Sequence, residues 1–189
     1  MTDAARVRAA LEQSADLHRR VAAERAAVVA EAASMLRDAV RAGHLVLAFG
    51  NGGSAGDAQH LAGEFVGRFM RERRAAAAIA LAADSAVVTA LGNDYGYEAV
   101  FARQIEALGR PGDVAVGITT SGRSANVNAA LKRARAAGLK TIGLTGGDGG
   151  ETGRLVDVHV NVPDPSTARV QEVQRTILHA ICELVEEAL

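Results

Sequence analysis

Apolar residues along the chain first recur at helical spacing and then collapse into short runs. Leu11, Leu17, Val21, Val28, Val29, Met35, Leu36 and Val40 mark one face of a helix predicted from about residue 4 to residue 42. Gly43 is a natural stop. This arm precedes any strand and has no sheet of its own to cross, so it is expected to pack along the outside or against a partner chain.

Beyond Gly43 apolar runs alternate with amphipathic segments. Leu45–Phe49, Ala78–Leu81, Val114–Ile118, Thr141–Thr145 and Val156–Val162 read as buried strands. Between and after them, helices are predicted from Ser54 to Gly67, from a cap at Ser85, from about Ala99 to Leu108, from Ser124 to Ala137, and from Thr167 to Ala188. Strands alternating with helices define an α/β fold, a three-layer sandwich with a central parallel sheet and helices on both faces. No repeat or linker divides the chain. It is expected to form one domain over residues 1–189, with a helical arm (1–42) ahead of an α/β core (43–189). Ligands of such sheets sit at the carboxyl ends of the strands, which singles out the loops after Phe49, Ile118 and Thr145.

Composition narrows the function classes. The chain has 189 residues, 49% hydrophobic but only 3% aromatic, with no Trp. Its core must rest on Ala, Val, Leu and Ile, small side chains that suit long helical interfaces and hence an oligomer. The formal net charge of −1 offers no global field for nucleic acid or an anionic membrane. The single cysteine, Cys182, excludes an intrachain disulfide framework and a cysteine-cluster metal site. With no apolar signal core at the N-terminus and no stretch long enough to span a bilayer, a cytoplasmic protein is expected.

The densest chemistry lies in Thr119-Thr120-Ser121-Gly122-Arg123-Ser124, between a strand and a helix. Four hydroxyls, a glycine that permits a tight turn and free N–H groups at a helix start suit a phosphate dianion; a simple capped turn needs only one hydroxyl. No lysine completes a nucleoside triphosphate loop. Gly50-Asn51-Gly52-Gly53-Ser54-Ala55-Gly56 also joins strand to helix. It nominally fits a dinucleotide fingerprint, but the next strand lies too far on for the expected acidic residue. A backbone loop admitting a small polar ligand, with Asn51 and Ser54 as hydrogen-bond partners, is the alternative.

His60 and Glu64 share one helix face at i and i+4. They could bind a metal, move protons, or form a surface pair. On the last helix, Gln171 and His179 are separated by about 12 Å of rise and roughly 80° of rotation. One ion could hold both only if they leaned together or if a neighbouring subunit supplied one of them. Glu172 is better aligned with His179 and remains a rival, and His179 among Ile177, Leu178 and Ile181 also reads as a core histidine. Gly92-Asn93-Asp94-Tyr95-Gly96 is a polar turn in which Asn93 and Asp94 either bind sugar hydroxyls or simply form the turn. Gly146 to Gly150 reads as a flexible connection.

Taken together, Gly50–Ser54, His60-Leu61-Ala62-Gly63-Glu64, Gly92-Asn93-Asp94, Thr119–Asn126, and Arg169-Val170-Gln171-Glu172 with His179 resemble the phosphoheptose isomerases, members of the sugar isomerase (SIS) fold family. The resemblance implies conversion of sedoheptulose 7-phosphate to D-glycero-D-manno-heptose 7-phosphate through an enediol, for heptose precursor biosynthesis. It implies a homotetramer with sites at subunit contacts, and one zinc ion per subunit held by His60, Glu64, Gln171 and His179. Substrate contacts map to Asn51, Gly52, Gly53, Glu64, Asn93, Asp94, Thr119, Thr120, Ser121, Ser124 and Gln171. Glu64 is assigned as the base and His179 as the acid. Thr119 and Arg123 stand where relatives often carry Ser and Asn, and Arg123 could add charge near the phosphate. Rival readings are a non-catalytic tetramer of the replication-initiator-associating type, an isomerase of another sugar phosphate, and a sugar-phosphate-sensing regulator.

Overall fold

The computed structural model describes residues 1–187 and 189. Five strands, β1 (Val46–Gly50), β2 (Ala78–Ala80), β3 (Val114–Thr119), β4 (Lys140–Gly146) and β5 (Val158–Val162), form one sheet in the order β2-β1-β3-β4-β5. All four pairings are parallel. The helices are α1 (Asp3–Arg41), α2 (Gly53–Val66), α3 (Ser85–Tyr95), α4 (Val100–Leu108), α5 (Ala125–Ala136) and α6 (Thr167–Glu186), with 3-10 turns at Tyr97–Ala99 and Thr152–Arg154. The three-layer architecture expected from the alternating pattern is therefore present.

Buried side chains form two clusters, one on each face of the sheet. Residues of α1, α2 and α6 pack on one face around Leu36, Leu61, Phe65 and Leu178. Residues of α4 and α5 pack on the other around Phe101, Ile105 and Leu131. β1, β3 and β4 are buried along nearly their whole length, so both of their faces carry apolar residues and the alternation of a half-exposed strand is absent.

Several expectations need correction. The second half of α1 is no outer arm: Ala32, Ala33 and Leu36 lie within the cluster that also contains the strand residues Val46 and Val116. Asp84, not Ser85, caps α3, accepting from the Ala86 and Val87 amides at 2.9 and 3.1 Å. Asn93 and Asp94 do not form a turn but the last turn of α3, which stops at Gly96 (φ 82°). β5 begins two residues later than its apolar run, because the Asp157 carboxylate accepts from the Thr141 amide and hydroxyl and belongs to the turn. Ala188, the predicted end of the last helix, lies outside the described residues.

The order of strands positions the site. From β1 the chain moves to the edge at β2, then returns past β1 to β3. The connections leaving β1 and β3 therefore part in opposite directions and open a crevice at the carboxyl edge, where parallel sheets bind ligands.

Candidate active site

Both loops at that crevice lead into helices without side-chain caps. Gly52 precedes α2 and Ser124 precedes α5, and neither offers a capping hydrogen bond. By contrast, Thr2, Asp84 and Ser166 cap α1, α3 and α6. The two helices that start at the crevice thus turn positive dipole ends toward an anion, although the Ser54 and Ala55 amides of α2 already donate to the Asn51 and Gly52 carbonyls and the Val127 amide of α5 to Asn126 Oδ1. Ser124 spends its hydroxyl on Thr119 instead, at 2.9 Å, and Thr119 also meets Ser121 at 3.4 Å.

A cavity of about 190 Å³ lies between the loops, lined by Asn51, Ser54, Ile118, Thr119, Thr120, Ser121, Ser124, Thr167 and Gln171. Seven of these polar residues were expected; Thr167 was not, since a single threonine at a helix start reads as part of the helix cap. Gln171 reaches the crevice because residue 53 lacks a side chain: a Cβ there would stand 2.3 Å from Gln171 Nε2. The turn itself depends on Gly122 (φ 63°), where a Cβ would collide with the Gly149 carbonyl at 2.1 Å.

Arg123 does not lend its charge to the cavity. Its guanidinium grips Asp148 through two bonds, at 2.9 and 2.6 Å. Those bonds, with the Gly150 amide, pull the Asp148 carboxyl down to about 2. The Gly146–Gly150 segment is thereby fastened to the cradle, and Thr152 adds a backbone and a hydroxyl bond to the Gly122 carbonyl.

A second polar group lies further along α2 and α6, which run side by side in the same direction. Asp57 pairs with Arg175 at 2.6 Å, and burial lifts the Asp57 carboxyl above its usual value despite that arginine. One turn on, His60 Nε2 lies 2.8 Å from His179 Nε2 and 3.4 Å from Glu64 Oε1. Burial first, and then the charge of Arg175, hold the His60 imidazole below its ordinary value against the opposing effect of Glu64. Phe69 packs on His179 with ring centroids 5.6 Å apart. Cys182 is buried nearby, and burial pushes its thiol up to about 12, which keeps it protonated.

The chain thus unites His60, Glu64 and His179, but leaves Gln171 at the cradle, about 12 Å of helix from His179. Asn93 and Asp94 bond to each other at 2.8 Å on the exposed end of α3, outside the cavity lining. Glu172 pairs with Arg169 at 2.7 Å.

The residue types at the His60–Glu64–His179 group fit zinc, which takes imidazole and carboxylate donors. The two imidazoles touch rather than surround a point, and among the described residues no three His, Cys, Asp or Glu side chains stand in a ready-made metal-binding arrangement.

A parallel sheet with two uncapped helix starts and a hydroxyl-rich turn at its switch point is the build of a sugar-phosphate-binding domain. Residues 11–146 match the model of the SIS domain family, to which the chain belongs. Within that family it belongs with the phosphoheptose isomerases and is an isomerase. It is 51% identical to the phosphoheptose isomerase of Roseiflexus sp. (strain RS-1) over 179 residues, 95% of this chain and 91% of that one. It is 55% identical to that of Geotalea daltonii over 161 residues, 85% of this chain and 84% of the other. The structure of phosphoheptose isomerase from Neisseria gonorrhoeae superposes with a TM-score of 0.93 at 41% identity, covering 98% of this chain and all of that one.

Proposed function

We propose that the chain interconverts sedoheptulose 7-phosphate and D-glycero-D-manno-heptose 7-phosphate through a cis-enediol, with Glu64 as the base and His179 as the acid. The observation that carries this reading is the direct contact of His60 with both Glu64 and His179 on the same α2–α6 seam that opens at the hydroxyl cradle. Moving a proton between C1 and C2 needs a base at carbon and a donor at the carbonyl oxygen. The Glu64 side chain, about one-fifth exposed, takes the proton from carbon and returns it to the neighbouring carbon. His179 protonates the carbonyl oxygen as the enediol forms and then, left neutral, takes the proton of the other enediol hydroxyl as the new carbonyl forms. The Thr119–Ser124 turn binds the phosphate with its hydroxyls and with amides at the start of α5, and so fixes the reacting carbons in place. Asn51, Gly52, Gly53, Ser54 and Gln171 contact the sugar, with Asn93 and Asp94 as further contacts from beyond the cavity lining.

His60, Glu64, Gln171 and His179 would hold one zinc ion per subunit in this reading, and the metal would polarise the carbonyl oxygen when bound. Ligation and proton donation compete at His179, since a ligated imidazole nitrogen has no proton to give. The assembly is a cytoplasmic homotetramer. Support for shared sites comes from the separation of Gln171 and His179 along α6, which a residue from a neighbouring subunit would bridge. An apolar groove of about 470 Å³ between α1 and α6, lined by Val21, Ala26, Val29, Ile177 and Leu184, supports association.

The test is incubation with sedoheptulose 7-phosphate and NMR of the products, on protein as purified, after chelation and after zinc is returned. Formation of the heptose aldose, with about one zinc per chain by elemental analysis and loss of turnover on chelation, is expected. Full turnover by metal-free protein would remove the zinc assignment. Turnover of a pentose phosphate alone would remove the heptose assignment.

A further inference from the structure

Asn51 stands at the crevice with its side-chain amide held from two sides. The chain of bonds begins at Val127, whose backbone N–H donates to Asn126 Oδ1 at 3.0 Å. A backbone N–H can only donate, so this bond fixes which end of the Asn126 amide is oxygen. Asn126 is 3% exposed and faces Asn51 in a reciprocal pair. Asn51 Nδ2 donates to Asn126 Oδ1 at 2.9 Å, and Asn126 Nδ2 donates to Asn51 Oδ1 at 2.8 Å. The orientation of Asn51 follows from that of Asn126. Tyr97, in the 3-10 turn after α3, agrees with it: its hydroxyl donates to Asn51 Oδ1 at 3.1 Å.

Asn51 Oδ1 has two donors and both of its lone pairs are used. Asn51 Nδ2 has one N–H committed to Asn126 and a second without a partner among the described residues. Asn51 lines the same cavity as Thr119, Thr120, Ser121 and Ser124. We propose that Tyr97 and Asn126 are positioning residues that lock the Asn51 amide carbonyl-inward, so that its remaining N–H donates to an oxygen of the bound sugar phosphate. This rests on the reading of the crevice as the sugar-phosphate site. A free amide could flip and present its carbonyl, which would repel a phosphate or deprotonated oxygen; the lock removes that state before substrate arrives. The device joins three elements that the sequence separates: the loop after β1, the start of α5 and the turn after α3.

The test is a double-mutant cycle read in kcat and KM for sedoheptulose 7-phosphate. Tyr97→Phe keeps the ring and removes only the hydroxyl, at a residue that is 58% exposed, so folding is preserved. It is expected to raise KM about fivefold with kcat little changed, the size of one hydrogen bond. In an Asn51→Ala background the same change is expected to leave KM where Asn51→Ala alone put it. Asn126→Ala, with its folded fraction checked by circular dichroism, should show the same loss of effect in that background. Equal effects of Tyr97→Phe with and without Asn51, or none with it, overturn the inference. A wild-type chain that does not bind sedoheptulose 7-phosphate overturns the substrate assignment first and this inference with it.

Discussion

The seam between α2 and α6 holds two polar groups that end up in opposite states. At one, Glu186 is nearly sealed, its side chain 3% exposed. It accepts from the Phe69, Met70 and Arg71 amides at 2.7–2.9 Å and stands 3.4 Å from Arg73 Nε. Burial alone would raise that carboxyl; the three amides and Arg73 outweigh it and hold it below its ordinary value. At the other group, His60 and Glu64 keep 31% and 22% of their side chains exposed. The difference separates a carboxylate whose acceptors are filled by its own chain from one whose oxygens remain available. The first braces the second: Arg73 donates to the Phe65 and Glu64 carbonyls, at 3.0 and 2.6 Å, and so closes the C-terminal turn of α2 that carries Glu64.

Substitutions should divide along the same line. The largest effect is expected at the open group, where His179→Gln should lower kcat about 10³-fold without shifting the thermal midpoint, checked by coupled kinetics and calorimetry. At the sealed group Glu186→Gln should do the reverse. It breaks a buried pair and should cost about 3 kcal/mol in urea unfolding, while turnover per folded molecule persists. A kcat loss at Glu186 matching that at His179 would erase the distinction.

Gly53→Ala probes the passage between seam and cradle. The new methyl meets only the end of a flexible side chain, Gln171 Nε2, and alanine favours the helix, so stability should move by no more than about 1 kcal/mol. Displacing Gln171 from the crevice should raise KM roughly tenfold. The smallest effect concerns pH. Because the folded Glu186 carboxyl is depressed, its contribution is complete above the ordinary value of 4.5 and is lost as pH falls through the folded value. The stability gap between wild type and Glu186→Gln should therefore narrow in acid below that value, measured by urea unfolding at a series of pH values.

Much of this frame is legible in the chain. Apolar runs locate all five strands to within two residues, because buried parallel strands are written as continuous Val, Leu, Ile and Ala. The cradle is legible because hydroxyls and glycine crowd one strand-to-helix loop. Residues that work through distant partners leave no such mark. Glu186 bonds to amides 115–117 positions away, and Arg73 looks like one of several solvated charges. Asn126 reads as an ordinary helix residue, and Tyr97 as part of a loop. His60 and Glu64 are paired by helical spacing alone, yet only the packing of α6 against α2 supplies His179. The Asn93–Asp94 segment reads as a turn because Gly92 and Gly96 bracket it, although the glycine at position 96 alone ends the helix.

In the proposed mechanism Glu64 removes the proton from carbon while the hydroxyl cradle, two to three turns away, anchors the phosphate. Deuterium wash-in from D₂O into sedoheptulose 7-phosphate, followed by NMR with wild type and Glu64→Gln, tests it most directly. Exchange by wild type, and none by Glu64→Gln although that variant still binds the sugar phosphate by calorimetry, is the predicted result. Exchange by Glu64→Gln at the wild-type rate would contradict it.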